Sequence, residues 1–515
     1  MDHPIPTLQR RFVAVLVLFA CLGLSAQAPA PARDAAPPRT GDIAWLDRIT
    51  FGADTAALQR LQNLGRKRFL EQQLTASAGP LPDQVKLQID QLGAESVNAS
   101  GRIGELMRLR KQIKASQDPK QKLALRKQLR QRGHALAAAA AQAQILRAIY
   151  SPNQLREQMV WFWSNHFSVF QRKSAVAWFI PDYIDHAIRP HALGHFRDLV
   201  MATLKSPAML LYLDNIRNVR GKNNENYARE LMELHVLGVH AGYTQQDVQA
   251  MMHILSGAGI TPLARRLRFA GDAPGFVHDG AFLFNPRRHD EGTQVLLGKR
   301  IDAHGYRQIE QAVDWITRQP ACARFVSGEM ARYFVSDHPP QALIDRMAAT
   351  FQRTNGDIAA VLRTLFTSPE LLTSGDKYKD PMQFTVSAMR LTYDGRPIPD
   401  ARRLVQALQL MGEPLYGRIT PDGWSLSGSD WHSSGQMTQR FQIARLIGTG
   451  LATLPPKADR EQRRDAVAQD IAGSTVYRVA IAPYLSANTR SVLSSARDPR
   501  LWNSYLLASP QFNQR

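Results

Sequence analysis

The chain has 515 residues, 44% of them hydrophobic, a formal net charge of +20 and two cysteines, Cys21 and Cys322. That apolar share over that length supports an extensive buried core. So few cysteines exclude a disulfide framework and a cysteine-based zinc site.

Arg10 and Arg11, the apolar run Phe12 to Leu24 and the small residues Ser25, Ala26 and Ala28 match a secretory signal peptide over residues 1–28. The expected destination is the periplasm or the exterior. A short membrane anchor and lipoprotein processing at Cys21, after the loose lipobox Leu18-Phe19-Ala20, are the alternatives. The Arg10-Arg11 pair only weakly matches a twin-arginine signal. Residues 29–41 (PAPARDAAPPRTG) are too poor in large apolar groups to order themselves and read as a flexible linker. Residues 42–515 then form one body, soluble because no later segment reaches eighteen uninterrupted apolar residues.

Ile43 to Gln73 reads as two short helices punctuated by Gly52 and Gly65. Residues 102–145 read as a basic arm. Between Arg102 and Arg132 stand eleven Lys or Arg against two acids, Glu105 and Asp118, in a run of helix formers broken at Asp118-Pro119. Two antiparallel helices follow, either contacting an anionic surface (lipid head groups or acidic polymer, residues 102–132) or simply solvated. No recognised nucleic-acid module accompanies them, so no specific nucleic acid is expected. Apolar periodicity continues over Gln142 to Ser168, interrupted near Pro152, over Ile184 to Leu204 despite Pro190, and over Asn226 to Leu237, ended by Gly238. Thr244, with Asp247 three residues on, caps a further helix carrying Val248, Met251, Met252 and Leu255.

Residues 265–300 change character: Arg265 to Phe269, Phe276 to His278 and Ala281 to Phe284 are short runs between Gly, Asp and Pro, and predict a small β-hairpin region. Helices resume over Tyr306 to Val335, Gln341 to Gln352, Asp357 to Phe366, Pro381 to Leu391 and Arg402 to Leu410. Residues 412–436 read as loop, and 375–515 as a C-terminal helical subregion. The fold class is therefore mainly α: a large multi-helix body with a β-hairpin insertion and a protruding basic helical hairpin.

Several segments together carry a family resemblance: WFWSNHFSVF (161–170), SPAMLLYLDN (206–215), NENYARELMELHVLGVHAGYTQQDV (224–248), RRHDEGTQVLLGK (287–299), TSPELL (367–372), the Asp-Gly-Trp around Trp424 and LASPQFNQR (507–515). The chain resembles the bacterial family catalogued as domain of unknown function 1800. It departs from many relatives at Ser256-Gly257-Ala258, where they carry Thr-Gly-Trp, and the basic arm looks like an insertion. The resemblance implies an exported helical protein, often encoded beside a second exported protein, which is the expected partner. It implies no catalytic residues.

On an ideal helix from Glu225 to Leu237, at about 100° per residue, Glu225, Arg229 and Glu233 form one stripe, with Glu230 beside it. Carboxylates on a partly apolar face need partners. Either Arg229 clamps Glu225 and Glu233 in a ladder, or Glu230 and Glu233 enter a pocket as acid–base groups or metal ligands, with Arg229 and Asn165 in support. His235 diverges from Glu233 and reads as a hydrogen-bonded core histidine. His166, in the aromatic run Trp161, Phe162, Trp163, Phe167 and Phe170, is the best candidate ligand or base, because an apolar shell keeps an imidazole neutral. Asn165 could hold that ring or serve an oxyanion. The His289-Asp290 pair is second, and Asp214-Asn215 either caps a helix or joins the pocket. Convergence of His166, Glu230, Glu233, His289 and Asp290 would suit iron, manganese or zinc and metal-assisted hydrolysis or oxidation. The paired E-x-x-H, GxSxG, P-loop and HExxH motifs are absent. A non-enzymatic envelope scaffold using the arm and a haem-binding protein are the competing functions.

Overall fold

The computed structural model describes residues 40–93, 98–261, 274–455, 457–464 and 467–515. The segment read as a signal peptide, nearly all of the segment read as a linker and the Arg265–Phe269 run lie outside them. Helix α1 (Thr40–Ile49) begins inside the segment read as linker. Helix α2 (Thr55–Leu74) starts at the Asp54 cap, whose carboxylate accepts from the Ala57 N–H at 2.7 Å, and kinks at Gly65, where φ is +69°. After α3 (Asp83–Gln91) come α4 (Ala99–Ala115) and α5 (Pro119–Tyr150), the expected helical hairpin. Asp118 caps α5, and Pro119 sits in its first turn, where a missing N–H costs nothing. Ile103, Leu106 and Leu109 bury one face of α4, whereas no residue from 110 to 132 is buried, so the tip stands clear of the core.

From Gly133 onward α5 enters the core through small residues (Ala137, Ala140, Ala141, Ala143) and then Ile145, Leu146 and Ile149. Pro152 lies in the break before α6 (Gln154–His166), of which every residue but Arg156 is buried. A helix enclosed on all sides is a central one. Its single acid, Glu157, is ion-paired with Arg189 at 2.5 Å, as a buried carboxylate requires.

The continuous Ile184–Leu204 helix does not form. A π-helical stretch Tyr183–Ile188, a 3₁₀ turn Arg189–His191 and an α-helix Phe196–Lys205 replace it, because Pro190 has no N–H and its ring crowds the preceding turn. Asn226–Leu237 also departs from the ideal helix. It is α only over Asn226–Glu230 and π over Leu231–Val236, with Leu237 N–H bonding the Met232 carbonyl at 3.0 Å. The next helix, Gln245–Leu255, carries the full Thr244/Asp247 capping box.

The β region contains β1 (Ala258–Ile260), β2 (Val277–Asp279) and β3 (Phe282–Phe284) in the antiparallel order β1-β3-β2, and a hairpin of β4 (Gln294–Leu296) and β5 (Lys299–Ile301). The Asp247 carboxylate accepts the Leu297 N–H at 2.6 Å and ties that hairpin to the helical body. Tyr306 to Val335 is two helices, Tyr306–Thr317 and Pro320–Phe334, divided at Pro320. The 412–436 loop holds one 3₁₀ turn, Gly428–Trp431, and ends where Ser433 caps the helix Ser434–Gly448. The protein is mainly α, and the described residues belong to one compact unit. Among them, no helix is long and apolar enough to cross a membrane.

Candidate functional site

The C-terminal end of α6, the helix Pro320–Phe334 and the loop Arg418–Asp430 enclose a cavity of about 530 Å³. Phe162, Asn165 and His166 line it from α6, Phe325, Glu329 and Arg332 from the second helix, and Arg418, Asp422 and Trp424 from the loop.

The loop is held from two directions. The Asn165 side chain spans the Trp424 backbone, donating to its carbonyl at 2.8 Å and accepting its N–H at 2.6 Å. Gly423 permits this approach: its φ is +74°, and a Cβ there would lie 2.3 Å from the Asn165 carbonyl oxygen. Further along, the Asp337 carboxylate accepts the Gly428 N–H, at 3.0 and 2.9 Å to its two oxygens, and is paired with Lys377.

His166 is enclosed by aromatic rings, Phe162, Trp163, Phe167 and Phe325, at centroid distances of 6.0, 5.5, 4.8 and 5.8 Å. Burial lowers its pKa to about 4, so the ring is neutral. Its Nε2–H donates to the His235 carbonyl at 2.8 Å, which leaves the lone pair on Nδ1. Nδ1 has no hydrogen bond among the described residues.

Of the three carboxylates that line the cavity, Glu329, Asp422 and Asp430, the first two are driven apart. Burial raises the pKa of Glu329 and outweighs its hydrogen bond from Arg332. Asp422 is lowered despite burial, because Arg418 grips both its oxygens, at 3.0 and 2.7 Å, and the Thr420 hydroxyl donates to it. Arg418 also lies over Trp424, 5.4 Å from the ring centroid.

The convergence of His166, Glu230, Glu233, His289 and Asp290 does not occur. Among the described residues, no three His, Cys, Asp or Glu side chains are placed to hold a metal ion. Arg229 bonds Glu225 at 2.9 Å and Glu233 at 3.2 Å, the ladder reading, with Gln245 bridging Arg229 and Glu225. Arg229 is thus a structural clamp on the surface. Both ends of the Asn165 amide hold Trp424, so its side chain fastens the loop. His289 is fully buried, its ring nitrogens meeting the Ser256 carbonyl at 2.9 Å and the Gln308 side chain at 3.2 Å, and it anchors the β region. Asp290 pairs with His253 at 2.6 Å. Asp214 is bonded to Lys173 at 2.8 Å, and the Asn215 amide holds the carbonyls of Leu255 and Ala258.

Glu230 is the exception. It is half-buried and has no hydrogen bond or ion pair among the described residues; burial, then Glu233, with a further contribution from Asp422, raises its pKa. It does not line the cavity. His235 is in the core as expected, but neither ring nitrogen has a hydrogen bond. The nearby Pro421 carbonyl only moderates a pKa lowered to about 3 by burial and by His166.

Sequence reasoning missed Glu329, Asp422, Arg332 and Arg418. The legible signal for Asp422 was the Asp-Gly-Trp segment, and for Glu329 the single acid of its helix, one turn from Phe325. A family model described as "Protein of unknown function (DUF1800)" matches residues 44–514. No curated protein and no solved structure matches the chain.

Proposed function

The chain belongs to the DUF1800 family, and we propose that this member is an exported enzyme of acid–base, hydrolytic type working in the cavity beneath the Asp422–Trp424 loop. One observation carries the reading. A single cavity holds a neutral imidazole and, among its three carboxylates, two, Glu329 and Asp422, whose surroundings push their pKa values in opposite directions. Such splitting is how acid and base roles are divided within one site.

In this reading Glu329, protonated to higher pH than an ordinary glutamate, gives its proton to the leaving group. His166 Nδ1 takes a proton from the attacking water. Asp422, held ionised by Arg418, stabilises positive charge developing on the substrate or on the imidazole. The His235 carbonyl fixes the tautomer, as the orienting partner of a catalytic histidine does. Export is supported by the amino-terminal pattern of Arg10-Arg11, apolar run and small residues.

The test is a screen of chromogenic esters, glycosides and phosphomonoesters, followed by pH profiles of kcat/KM. Activity should rise through about pH 4 as His166 deprotonates and fall as Glu329 deprotonates, which gives an acidic optimum. Glu329→Gln should remove the falling limb, and it and His166→Gln should each lower kcat/KM about a hundredfold or more. Full activity in both variants would overturn the assignment.

A further inference from the structure

The α4–α5 hairpin has features that neither the cavity nor the core explains. Of its eleven cations between 102 and 132, Arg132 pairs with Glu105 at 3.1 Å and Arg102 is buried. The other nine make no ion pair among the described residues, and all but the half-buried Lys122 are exposed. By contrast, the cations that the core encloses, such as Arg147, Arg189 and Arg390, each meet a carboxylate.

The cations are also ordered. Lys120, Leu123, Lys127 and Arg130 follow i, i+3, i+7, i+10 and share one face of α5. Met107, Lys111 and Lys114 share one face of α4 by the same rule. Each stripe includes an exposed apolar residue, Leu123 at 64% and Met107 at 38% exposure. Free cations alone would suit any polyanion. An apolar side chain held out in water beside them suits a boundary where charge lies next to hydrocarbon.

We propose that the hairpin docks this protein peripherally on an anionic phospholipid surface, the lysines and arginines among the head groups and Leu123 and Met107 reaching toward the acyl boundary. The tip is built for this because no residue from 110 to 128 belongs to the core or packs against it, so contact requires no rearrangement of the core. Attraction of this kind is screened by salt.

The full exported chain is sedimented with vesicles of equimolar phosphatidylglycerol and phosphatidylcholine, or of phosphatidylcholine alone, with heparin as a soluble polyanion probe. Binding to the anionic vesicles should be at least about tenfold tighter than to neutral ones and should weaken about tenfold between roughly 0.05 and 0.3 M salt. The triple variant Lys120→Gln, Lys127→Gln, Arg130→Gln should lose at least about tenfold. The double variant Met107→Ser, Leu123→Ser should weaken vesicle binding severalfold while leaving heparin binding intact. All five positions are exposed, and circular dichroism should show both variants folded. Equal binding to both vesicle types overturns the proposal. So does a double variant that binds vesicles and heparin as the parent does, since the partner would then be a soluble polyanion.

Discussion

His235 is a fully buried imidazole whose two nitrogens lack hydrogen bonds, 5.1 Å from the Phe167 ring. Its carbonyl orients His166, but its ring only fills space. Its pKa, about 3 against an ordinary 6.5, means that the folded state refuses a proton that the unfolded chain accepts. The stability it supports is therefore complete above pH 6.5 and is lost as pH falls toward about 3. His235→Phe keeps the carbonyl, packs a ring in the same place and removes this titration. Between pH 6.5 and about 5 the parent should lose about 2 kcal/mol more than the variant in denaturant unfolding, because other groups titrate alike in both. Equal losses would show that His235 is not held neutral by burial. The burial of this residue was legible from its place among apolar neighbours. Its lack of partners was not, because hydrogen bonds come from other segments.

At the scale of elements, the cavity depends on how a loop is fastened to the end of α6. Gly423→Ala places a methyl against the Asn165 backbone carbonyl, which has no rotamer to move away, at a φ of +74° that disfavours a side chain. A stability loss of about 2 kcal/mol or more is expected, with activity lost as Trp424 detaches. A change within about 0.5 kcal/mol would show that the loop is not seated this way. Element boundaries were largely readable where caps and prolines mark them, as at Thr244 and Asp118-Pro119, although the break at Pro320 was read through. The π stretch Leu231–Val236 was not readable, because its register comes from packing rather than from residue type. It undid the assumption of an ideal helix through Glu233 and His235, although the Arg229 ladder survived it. That ladder is partly exposed, its members 26–38% accessible, and pairs of that kind contribute at most about 1 kcal/mol.

At the scale of the whole molecule, the architecture keeps two features apart. One is the cavity that holds His166, Glu329 and Asp422, and the other is the basic hairpin, whose tip stands away from the core. The hairpin and the mainly α class were legible because both are written in local periodicity and composition. The cavity was not, because His166, Glu329 and Asp422 come from three distant stretches, and helical spacing reveals only neighbours three or four residues apart. Single ionisable residues stood out along the chain, but only the tertiary fold decides which of them share a space. Selective labelling of the glutamate and aspartate carboxyls and the histidine rings, with NMR titration of the intact protein, tests the division of charge in that cavity most directly. Glu329 should titrate above the ordinary glutamate range, Asp422 below the ordinary aspartate range, and His166 should stay neutral, protonated on Nε2, down to about pH 4. Two carboxyls titrating together, or an imidazole that charges near pH 6.5, would contradict it.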